Sequence, residues 1–321
     1  MTKPINLTHA QQTLVVTEKR VASDGVVALT LRHPNGSRLN PWSPGAHIDV
    51  MLPGGITRQY SLRGNRWNTR EYHIGVLREP KSRGGSEFIH AELEVGDSVG
   101  VGGPRNNFQL VPANSYTFIA GGIGITPILP MVHQAELLGI DWKLHYGGRT
   151  RSTMAFLDEL EKYGARVALY PNDEVGDPDL PAILANPEQG HRVYACGPGG
   201  MLNAIAKFSE HWPEYAVRTE RFVAAELAAP SRTTPFEVEL ARSEKVIVVQ
   251  PESSVLEAVR EAGADVMSSC QSGTCGTCEV TVLCGTPEHR DSVLDAHERG
   301  LNDRMLVCVS RALSDRLVLD I

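Results

Sequence analysis

The first part of the chain contains short segments in which apolar and polar residues alternate, separated by glycine and proline turns. Six such segments are predicted to be strands, at residues 12–17, 26–32, 46–52, 57–63, 71–77 and 97–101. Short strands at this spacing are typical of a small antiparallel barrel. One helix is predicted among them, at residues 86–93. We therefore expect an antiparallel β-barrel domain over residues 1–112.

The hydrophobic period changes after this point, and apolar runs begin to alternate with helical patterns. Strands are predicted at residues 116–120, 142–146, 166–170 and 192–196, and helices at residues 127–139, 153–163 and 199–211. Alternating strands and helices indicate a parallel sheet covered by helices. The sequence thus predicts a second domain, of the α/β class, over residues 113–223.

A stretch of small residues with Pro230 follows and is interpreted as a linker over residues 224–234. Beyond it, strands are predicted at residues 236–241, 246–249, 279–282 and 317–321, with a helix at residues 254–262. This order predicts a small α+β domain over residues 235–321. The fold class is therefore multidomain, with barrel, parallel-sheet and α+β parts.

Length and charge narrow the function classes. A chain of 321 residues suits two or three domains, and its net charge of -7 argues against a nucleic-acid partner. Residues 1–12 lack the apolar core of a signal peptide, and no apolar run approaches the length of a membrane span. We expect a cytoplasmic protein with no membrane partner.

The cysteines of the last domain carry the most specific chemistry. Four of them follow the C-x4-C-x2-C…C spacing of a plant-type [2Fe-2S] cluster: Cys270, Cys275, Cys278 and Cys308. Gly273 and Gly276 let the backbone curl so that N–H groups can approach the sulfur atoms. A four-cysteine zinc site is the alternative, but zinc sites usually have two close cysteine pairs, whereas Cys308 stands alone. Disulfides fit less well. The chain is thus expected to carry electrons.

Two cysteines remain outside this set. Cys284 lies in an apolar stretch and is interpreted as a small buried strand residue without a function. Cys196 begins a Cys-Gly-Pro run, Cys196-Gly197-Pro198, at the end of a predicted strand. Ligands of open α/β sheets collect at that edge, although a glycine–proline turn there can also be purely structural.

The run Arg58-Gln59-Tyr60-Ser61 lies on a predicted barrel strand. A flavin needs a cation for its phosphate, a flat ring beside the isoalloxazine and a hydroxyl near its N5 edge, and this run offers all three. By itself the run equally suits a strand with an exposed arginine and a packed tyrosine.

Two glycine-rich segments add to the flavin interpretation. Gly84-Gly85-Ser86 precedes a predicted helix, where backbone N–H groups can hold a phosphate and Ser86 can also act as the N-cap. A second run, centred on Gly122-Ile123-Gly124, follows a strand and opens a helix, as expected of a nucleotide site. It departs from the G-x-G-x-x-G dinucleotide fingerprint because Pro127 replaces the last glycine.

These motifs, in this order and over nearly the whole chain, resemble the phthalate dioxygenase reductase family. The resemblance implies a barrel that binds FMN, a nucleotide-binding domain of the ferredoxin reductase type and a plant-type ferredoxin. It also implies NADH as donor and, as acceptor, the Rieske centre of a partner aromatic-ring oxygenase or O-demethylase. FMN rather than FAD rests on the resemblance, since the motifs do not exclude an adenylate tail.

The resemblance also assigns residues. Gly75, Val76 and Leu77 would border the flavin ring with Thr126 close by, and Phe222 would cover the face on which nicotinamide stacks. Phe222 could instead be the last core residue before the linker. Ser61, Thr126, Cys196 and Phe222 are then the candidates for the hydride-transfer site, with Ser61 at flavin N5.

Some alternatives stay open. Arg149 and Arg151 follow the second strand of the α/β domain, where they could accept the 2'-phosphate of NADPH, but Asp173 and Glu174 follow the next strand and the resemblance favours NADH. The acidic residues Glu279, Glu288 and Asp291 could steer a docking partner or form a solvated face. A general diaphorase, a reductase for a cytochrome P450 and a redox sensor are the functional alternatives, and we expect a monomer.

Overall fold

The computed structural model of the protein describes residues 11–80, 84–224, 227 and 229–321. The chain forms two compact units, Met1–Arg221 and Phe222–Ile321. The predicted linker at residues 224–234 includes 225, 226 and 228, which lie outside the described residues. Within the described part, no helix is long and apolar enough to cross a bilayer.

The first unit begins with a closed antiparallel barrel, as the alternating pattern predicts. Its strands are β1 (Gln12–Ser23), β2 (Val26–Arg32), β3 (His47–Leu52), β4 (Ile56–Arg63), β5 (Tyr72–Leu77) and β6 (Ser98–Arg105), in the order β1-β2-β5-β4-β3-β6. The short helix α1 (Gly85–Ala91) lies between β5 and β6. Leu29, Ile48, Leu62 and Ile74 point into the barrel and are at most 1% exposed. The period-2 pattern thus closes a core.

A five-stranded parallel sheet forms the rest of this unit. Its strands are β7 (Ser115–Gly121), β8 (Asp141–Gly148), β9 (Val167–Pro171), β10 (His191–Cys196) and β11 (Val217–Glu220), in the order β11-β10-β7-β8-β9. The helices are α2 (Ile125–Leu137), α3 (Leu157–Leu160), α4 (Asn172–Val175), α5 (Leu180–Ile183) and α6 (Gly199–Phe208). Phe118 packs in the same core as Leu129 of α2, whereas the adjacent Ile119 packs in the same core as Leu202 of α6. Both faces of the sheet are therefore buried.

The prediction of one helix over residues 153–163 is wrong. Only α3 is helical in the α sense, and 3-10 turns, Arg151–Thr153 and Glu161–Arg166, flank it. The reason is Phe156, which has a left-handed backbone (φ 63°) and so cannot continue a right-handed helix. Helix α2 begins at Ile125, two residues before Pro127.

The second unit is built on a mixed five-stranded sheet. Its strands are β12 (Phe236–Leu240), β13 (Lys245–Val249), β14 (Glu279–Cys284), β16 (Arg304–Leu306) and β18 (Arg316–Leu319), in the order β13-β12-β18-β14-β16, with a short pair of β15 (Pro287–Glu288) and β17 (Arg311–Ala312). The helices are α7 (Val255–Glu261) and α8 (Ala296–Leu301). Ser254 and Glu257 form a capping box that starts α7.

The expected burial of Cys284 is also wrong, because this residue is exposed. Val280 and Val282 point inward from β14, so simple alternation would turn Cys284 inward as well. An irregularity in the pairing with β18 between Val282 and Cys284 breaks that alternation.

Candidate cofactor sites

Arg58 of β4 and the glycine turn before α1 lie against each other. A Cβ atom on Gly85 would stand 2.7 Å from Cγ and 2.8 Å from Nε of Arg58, so only glycine lets the arginine pack on this backbone. Gly84, at φ +88°, is the N-cap of α1, and Ser86 is a helical residue rather than the predicted cap. The Ser86 hydroxyl accepts a hydrogen bond from the Glu79 N–H at 3.1 Å. A cation, a glycine turn and a hydroxyl therefore meet where a phosphate site is predicted.

The two residues after Arg58 on β4 are held by neighbouring groups. Burial raises the pKa of Tyr60, and the Arg58 cation opposes this shift. The Gln59 amide donates to the buried carboxylate of Asp49 at 2.6 Å, and Arg105 pairs with the same carboxylate at 2.5 Å. Because the Gln59 side chain is engaged in this way, its predicted cofactor contact would have to use its backbone.

Strand β5 and helix α2 bring the other predicted flavin neighbours together. A Cβ on Gly75 would stand 2.9 Å from Cγ2 of Thr126, so the first residues of α2 contact the barrel at this glycine. Val76 points into the barrel core, and its carbonyl accepts from His90 Nε2 at 2.9 Å, while Leu77 packs against the core of the parallel-sheet part. Ser61 and Thr126 are 5% and 2% exposed. Both hydroxyls are thus buried in the first unit.

The glycine turn after β7 and the Cys-Gly-Pro run after β10 touch through their backbones. A Cβ on Gly124 would stand 2.2 Å from the Cys196 carbonyl oxygen, and one on Gly121 would stand 2.6 Å from Cδ of Pro198. A Cβ on Gly197 would stand 3.0 Å from the Gly121 Cα atom. Strands β7 and β10 are neighbours, so the two motifs share the carboxyl edge of the sheet.

The same turn has an open side. Gly122 has a left-handed backbone (φ +53°), and among the described residues other than its neighbours along the chain no heavy atom comes within 4 Å of the place where its Cβ would be. Ile123 is partly buried, and its carbonyl accepts from the Thr126 hydroxyl at 2.9 Å. The glycine turn is therefore tightly packed on one side and accessible at Gly122, as a nucleotide-binding turn requires.

Glu220 lies beside Cys196 and was missed by the sequence analysis. It ends β11, a four-residue strand with two charged residues that gives no apolar signal. Cys196 is fully buried, and its Sγ donates to Glu220 Oε2 at 3.9 Å. Burial raises the pKa of Glu220 to about 8, and burial beside Glu220 also raises the pKa of the Cys196 thiol.

The two arginines after β8 are accompanied by acidic residues. Arg151 pairs with Glu174 at 3.2 Å, and both side chains are about half exposed. The Asp173 N–H donates to the carbonyl of Arg149 at 3.2 Å, which brings the residue after the next strand to the exposed Arg149. A 2'-phosphate would therefore approach two carboxylates as well as two guanidinium groups.

The four cysteines of the second unit form two hydrogen-bonded thiol pairs, Cys270 with Cys275 and Cys278 with Cys308. Hydrogen bonding from Cys275 lowers the pKa of Cys270 and raises that of Cys275. If a [2Fe-2S] cluster is bound, these four thiols would hold it, and the cluster would accept and pass on single electrons. The donor set therefore fits a binuclear [2Fe-2S] cluster.

Backbone N–H groups surround these sulfur atoms. Ser272 and Thr274 each donate a backbone N–H to Cys270 Sγ at 3.4 Å, and Gly273 donates to Cys308. Gly273 and Gly276 both have φ +72°, the left-handed conformation that the curled loop needs. Such N–H···S contacts stabilise the negative charge of a thiolate cluster.

Residues around Asp291 support the cysteine loop. A Cβ on Gly273 would stand 3.1 Å from the Asp291 Cα atom, and Ser292 N–H donates to the Gly273 carbonyl at 2.8 Å. Asp291 is 5% exposed and accepts from the N–H groups of Val293 and Leu294 at 2.9 and 2.8 Å. It therefore belongs to the interior and not to the exposed acidic rim considered from the sequence.

The other two acidic residues and Phe222 behave differently. Glu279 is exposed and Glu288 accepts from the Ser231 hydroxyl at 2.7 Å. Phe222, the first residue of the second unit, is 41% exposed. Its predicted place over a flavin face stays a prediction.

Comparison with known proteins identifies related chains of the same domain content. Residues 238–313 match the 2Fe-2S iron-sulfur cluster binding domain. Phenoxybenzoate dioxygenase subunit beta of Ectopseudomonas oleovorans is 44% identical over 302 residues, which covers 93% of this chain and 94% of the relative. The solved phthalate dioxygenase reductase, described as modular for electron transfer from pyridine nucleotides to [2Fe-2S], is 35% identical, with a TM-score of 0.70 and 96% and 97% of the two chains covered.

A second kind of protein contains the same architecture. An intact type IV self-sufficient cytochrome P450 monooxygenase is 42% identical, with a TM-score of 0.93. The match covers 100% of this chain and 42% of that one. This chain therefore spans less than half the length of that monooxygenase.

Proposed function

Because the chain belongs to the phthalate dioxygenase reductase family, we propose that it is the NADH-dependent reductase component of an oxygenase system. Electrons enter from NADH, pass through FMN and leave through the [2Fe-2S] cluster of the C-terminal unit. The observation that carries the proposal is the presence on one chain of a nucleotide-type glycine edge, a flavin-type arginine and glycine turn, and four paired thiols.

The order of the three sites suits their chemistry. NADH releases two electrons together as hydride, a [2Fe-2S] cluster takes one at a time, and a bound flavin supplies the conversion between them. The chain itself has to bind and orient these groups and exclude water from them. The burial of Ser61 and Thr126 and the close backbone contact between Gly124 and Cys196 are consistent with that task.

We assign the following roles within this proposal. Arg58 and the Gly84-Gly85-Ser86 turn hold the FMN phosphate, while Tyr60 and the backbone of residues 59 and 75–77 border the ring. Gly122, Ile123, Gly124, Gly197 and Pro198 hold NADH. Ser61, Thr126 and Cys196 line the hydride-transfer site. In this proposal the barrel domain at 1–112 binds FMN, the nucleotide-binding domain at 113–223 binds NADH, and the ferredoxin domain at 235–321 holds the cluster.

The carboxylates beside the arginines after β8 support NADH over NADPH. Glu174 neutralises Arg151, and the Asp173 backbone lies next to that of Arg149, so little net positive charge is left there to attract a 2'-phosphate. Steady-state turnover with both nucleotides and an artificial acceptor measures the preference. A higher kcat/KM for NADPH would contradict it.

The proposed final acceptor is the Rieske centre of an aromatic-ring oxygenase or O-demethylase. The similarity to a dioxygenase subunit over 93% of the chain supports it. A cytochrome P450 is the second candidate, since a self-sufficient P450 contains a region 42% identical to this chain. A general diaphorase would instead need no specific protein acceptor.

Reconstitution tests the acceptor. The purified holoprotein is mixed with NADH and either a Rieske oxygenase or a P450 encoded beside its gene, and product formation per NADH consumed is measured. The Cys308→Ser variant is the control, because it removes a proposed cluster ligand and should stop the transfer to either partner. Efficient coupling to the Rieske oxygenase is expected, and coupling to the P450 alone would favour the second candidate.

We further propose that the protein is a monomer and works in the cytoplasm, where NADH is available. None of the six cysteines is in a disulfide, which is consistent with reducing conditions. Size-exclusion chromatography with light scattering should give one chain, 35.0 kDa plus cofactors. A mass of two chains or more at low protein concentration would contradict the monomer.

A further inference from the structure

Arg63 connects the barrel to the parallel-sheet part of the first unit. It ends β4, the strand that also carries Arg58, Tyr60 and Ser61. Its side chain is only 5% exposed and forms an ion pair with Glu159 of α3. Its guanidinium carbon lies 3.8 Å from the centroid of the Phe156 ring. One barrel side chain therefore holds the parallel-sheet part by both charge and stacking.

Phe156 continues this contact to predicted flavin neighbours. The ring is 1% exposed, and a Cβ on Gly75 would stand 3.1 Å from its Cε2 and Cζ atoms and 2.9 Å from Cγ2 of Thr126. Phe156 also has a left-handed backbone (φ 63°), a conformation that is unfavourable for a residue with a side chain. Arg63 and Gly75 both pack on this ring.

The residues around Arg63 indicate that it bridges the barrel and the parallel-sheet part rather than binding a ligand. A cleft of about 270 Å³ lies beside Arg63 and is lined by Glu18, Arg20, Thr30, His73 and Glu159, among others. Arg20 reaches Glu159 at 3.8 Å, so two arginines face two glutamates and the charges balance. Burial lowers the pKa of Arg63, and Glu159 opposes this shift. The guanidinium is thus stabilised by its protein partner.

We propose that Arg63 is a positioning residue for hydride transfer, which fixes the parallel-sheet part against the flavin-binding strand through Phe156 and Glu159. The inference rests on the proposed function, which assigns FMN to the barrel and NADH to the parallel-sheet part. A shift of about 1 Å between reacting groups can cost about 100-fold in rate. A planar guanidinium can stack and pair at once, whereas a lysine ammonium cannot do both in the same geometry.

The test compares Arg63→Lys and Phe156→Leu with the wild-type holoprotein. Anaerobic stopped-flow mixing with NADH gives the rate constant of flavin bleaching, its isotope effect with 4-deuterated NADH, and the Kd of NADH. Arg166→Gln is the matched control, since Arg166 also combines an ion pair, with Glu136, and a ring contact, 4.8 Å from Trp142, but within the parallel-sheet part alone.

We expect Arg63→Lys to lower the hydride-transfer rate about tenfold or more, while the Kd of NADH changes by less than about twofold. The isotope effect should stay fully expressed, and Arg166→Gln should match wild type. Phe156→Leu keeps both charges and should also slow transfer. Rates within about twofold of wild type for both variants would overturn the proposal.

A second readout does not need activity. Hydrogen exchange of the apoprotein should increase in residues 56–63 and 154–160 of Arg63→Lys and stay unchanged in Arg166→Gln. Unchanged exchange in Arg63→Lys would refute the bridge even if no variant can be assayed for turnover. A third outcome is that NADH does not reduce the wild-type flavin although exchange increases in Arg63→Lys as expected. The proposed function and the role of Arg63 in hydride transfer would then both be wrong, and the bridge would be a structural contact only.

Discussion

Replacing Glu220 by glutamine should make the first unit more stable at alkaline pH. Burial raises the pKa of this carboxyl from 4.5 to about 8. Between pH 4.5 and pH 8 the folded chain therefore keeps a proton on Glu220 that the unfolded chain has lost. Stability therefore falls as the pH rises from about 4.5 to about 8 and is level above that. Glutamine has nearly the same shape and cannot ionise, which removes this loss.

The magnitude follows from the two pKa values. The two pKa values differ by 8 − 4.5, about 3.5. At about 1.36 kcal/mol for each pKa unit, this difference corresponds to a loss of about 5 kcal/mol in the free energy of unfolding. This is an upper bound, because part of the Glu220 side chain is accessible to water. The advantage of Glu220→Gln should thus grow from about 1 kcal/mol at pH 5 toward this bound at pH 8.5.

Urea unfolding followed by tryptophan fluorescence measures the stability of the first compact unit, which contains Glu220. All four tryptophans lie in Met1–Arg221: Trp42, Trp67, Trp142 and Trp212. Glu210→Gln, at an exposed position, is the control and should show no pH-dependent gain. An advantage of Glu220→Gln that stays constant or shrinks between pH 5 and 8.5 would refute the reasoning.

Three other substitutions test the proposed sites. Gly124→Ala places a Cβ against the Cys196 carbonyl, so it should cost about 1–3 kcal/mol of stability and weaken NADH binding. Thermal unfolding and NADH titration measure these two effects. Unchanged stability and unchanged NADH affinity would contradict the packed turn. Arg58→Ala should weaken FMN binding by about 10- to 100-fold in an apoprotein titration, with Arg58→Lys partly restoring it, and equal affinities would argue against a phosphate contact. Asp291→Ala removes two hydrogen bonds from the turn that supports Gly273, about 2 kcal/mol, so the cluster should be lost faster to a chelator; wild-type loss rates would contradict this support.

The sequence was most informative where local chemistry decides the structure. Alternating residues predicted the barrel strands, and glycine runs predicted the turns that the close contact of Gly124 with Cys196 requires. The cysteine spacing predicted the thiol cluster. The predictions of the strands, the turns and the thiol cluster rest on local sequence patterns that tertiary packing did not override.

The errors arose where tertiary contacts decide. Phe156, whose left-handed backbone interrupts the predicted helix, contacts Arg63 and Gly75, which are distant in sequence. Glu220 ends a short strand whose pattern is too polar to predict burial, and the outward turn of Cys284 depends on pairing with β18. Patterns of single segments cannot supply such information.

Anaerobic reduction with NADH tests the central claim most directly. The purified holoprotein is mixed with NADH, its flavin absorption is recorded, and a frozen sample is measured by low-temperature electron paramagnetic resonance. We predict flavin bleaching together with the rhombic signal of a reduced [2Fe-2S] cluster, and loss of that signal in Cys308→Ser. Flavin bleaching without a cluster signal in the wild-type protein would contradict the proposed path from NADH through FMN to the four cysteines.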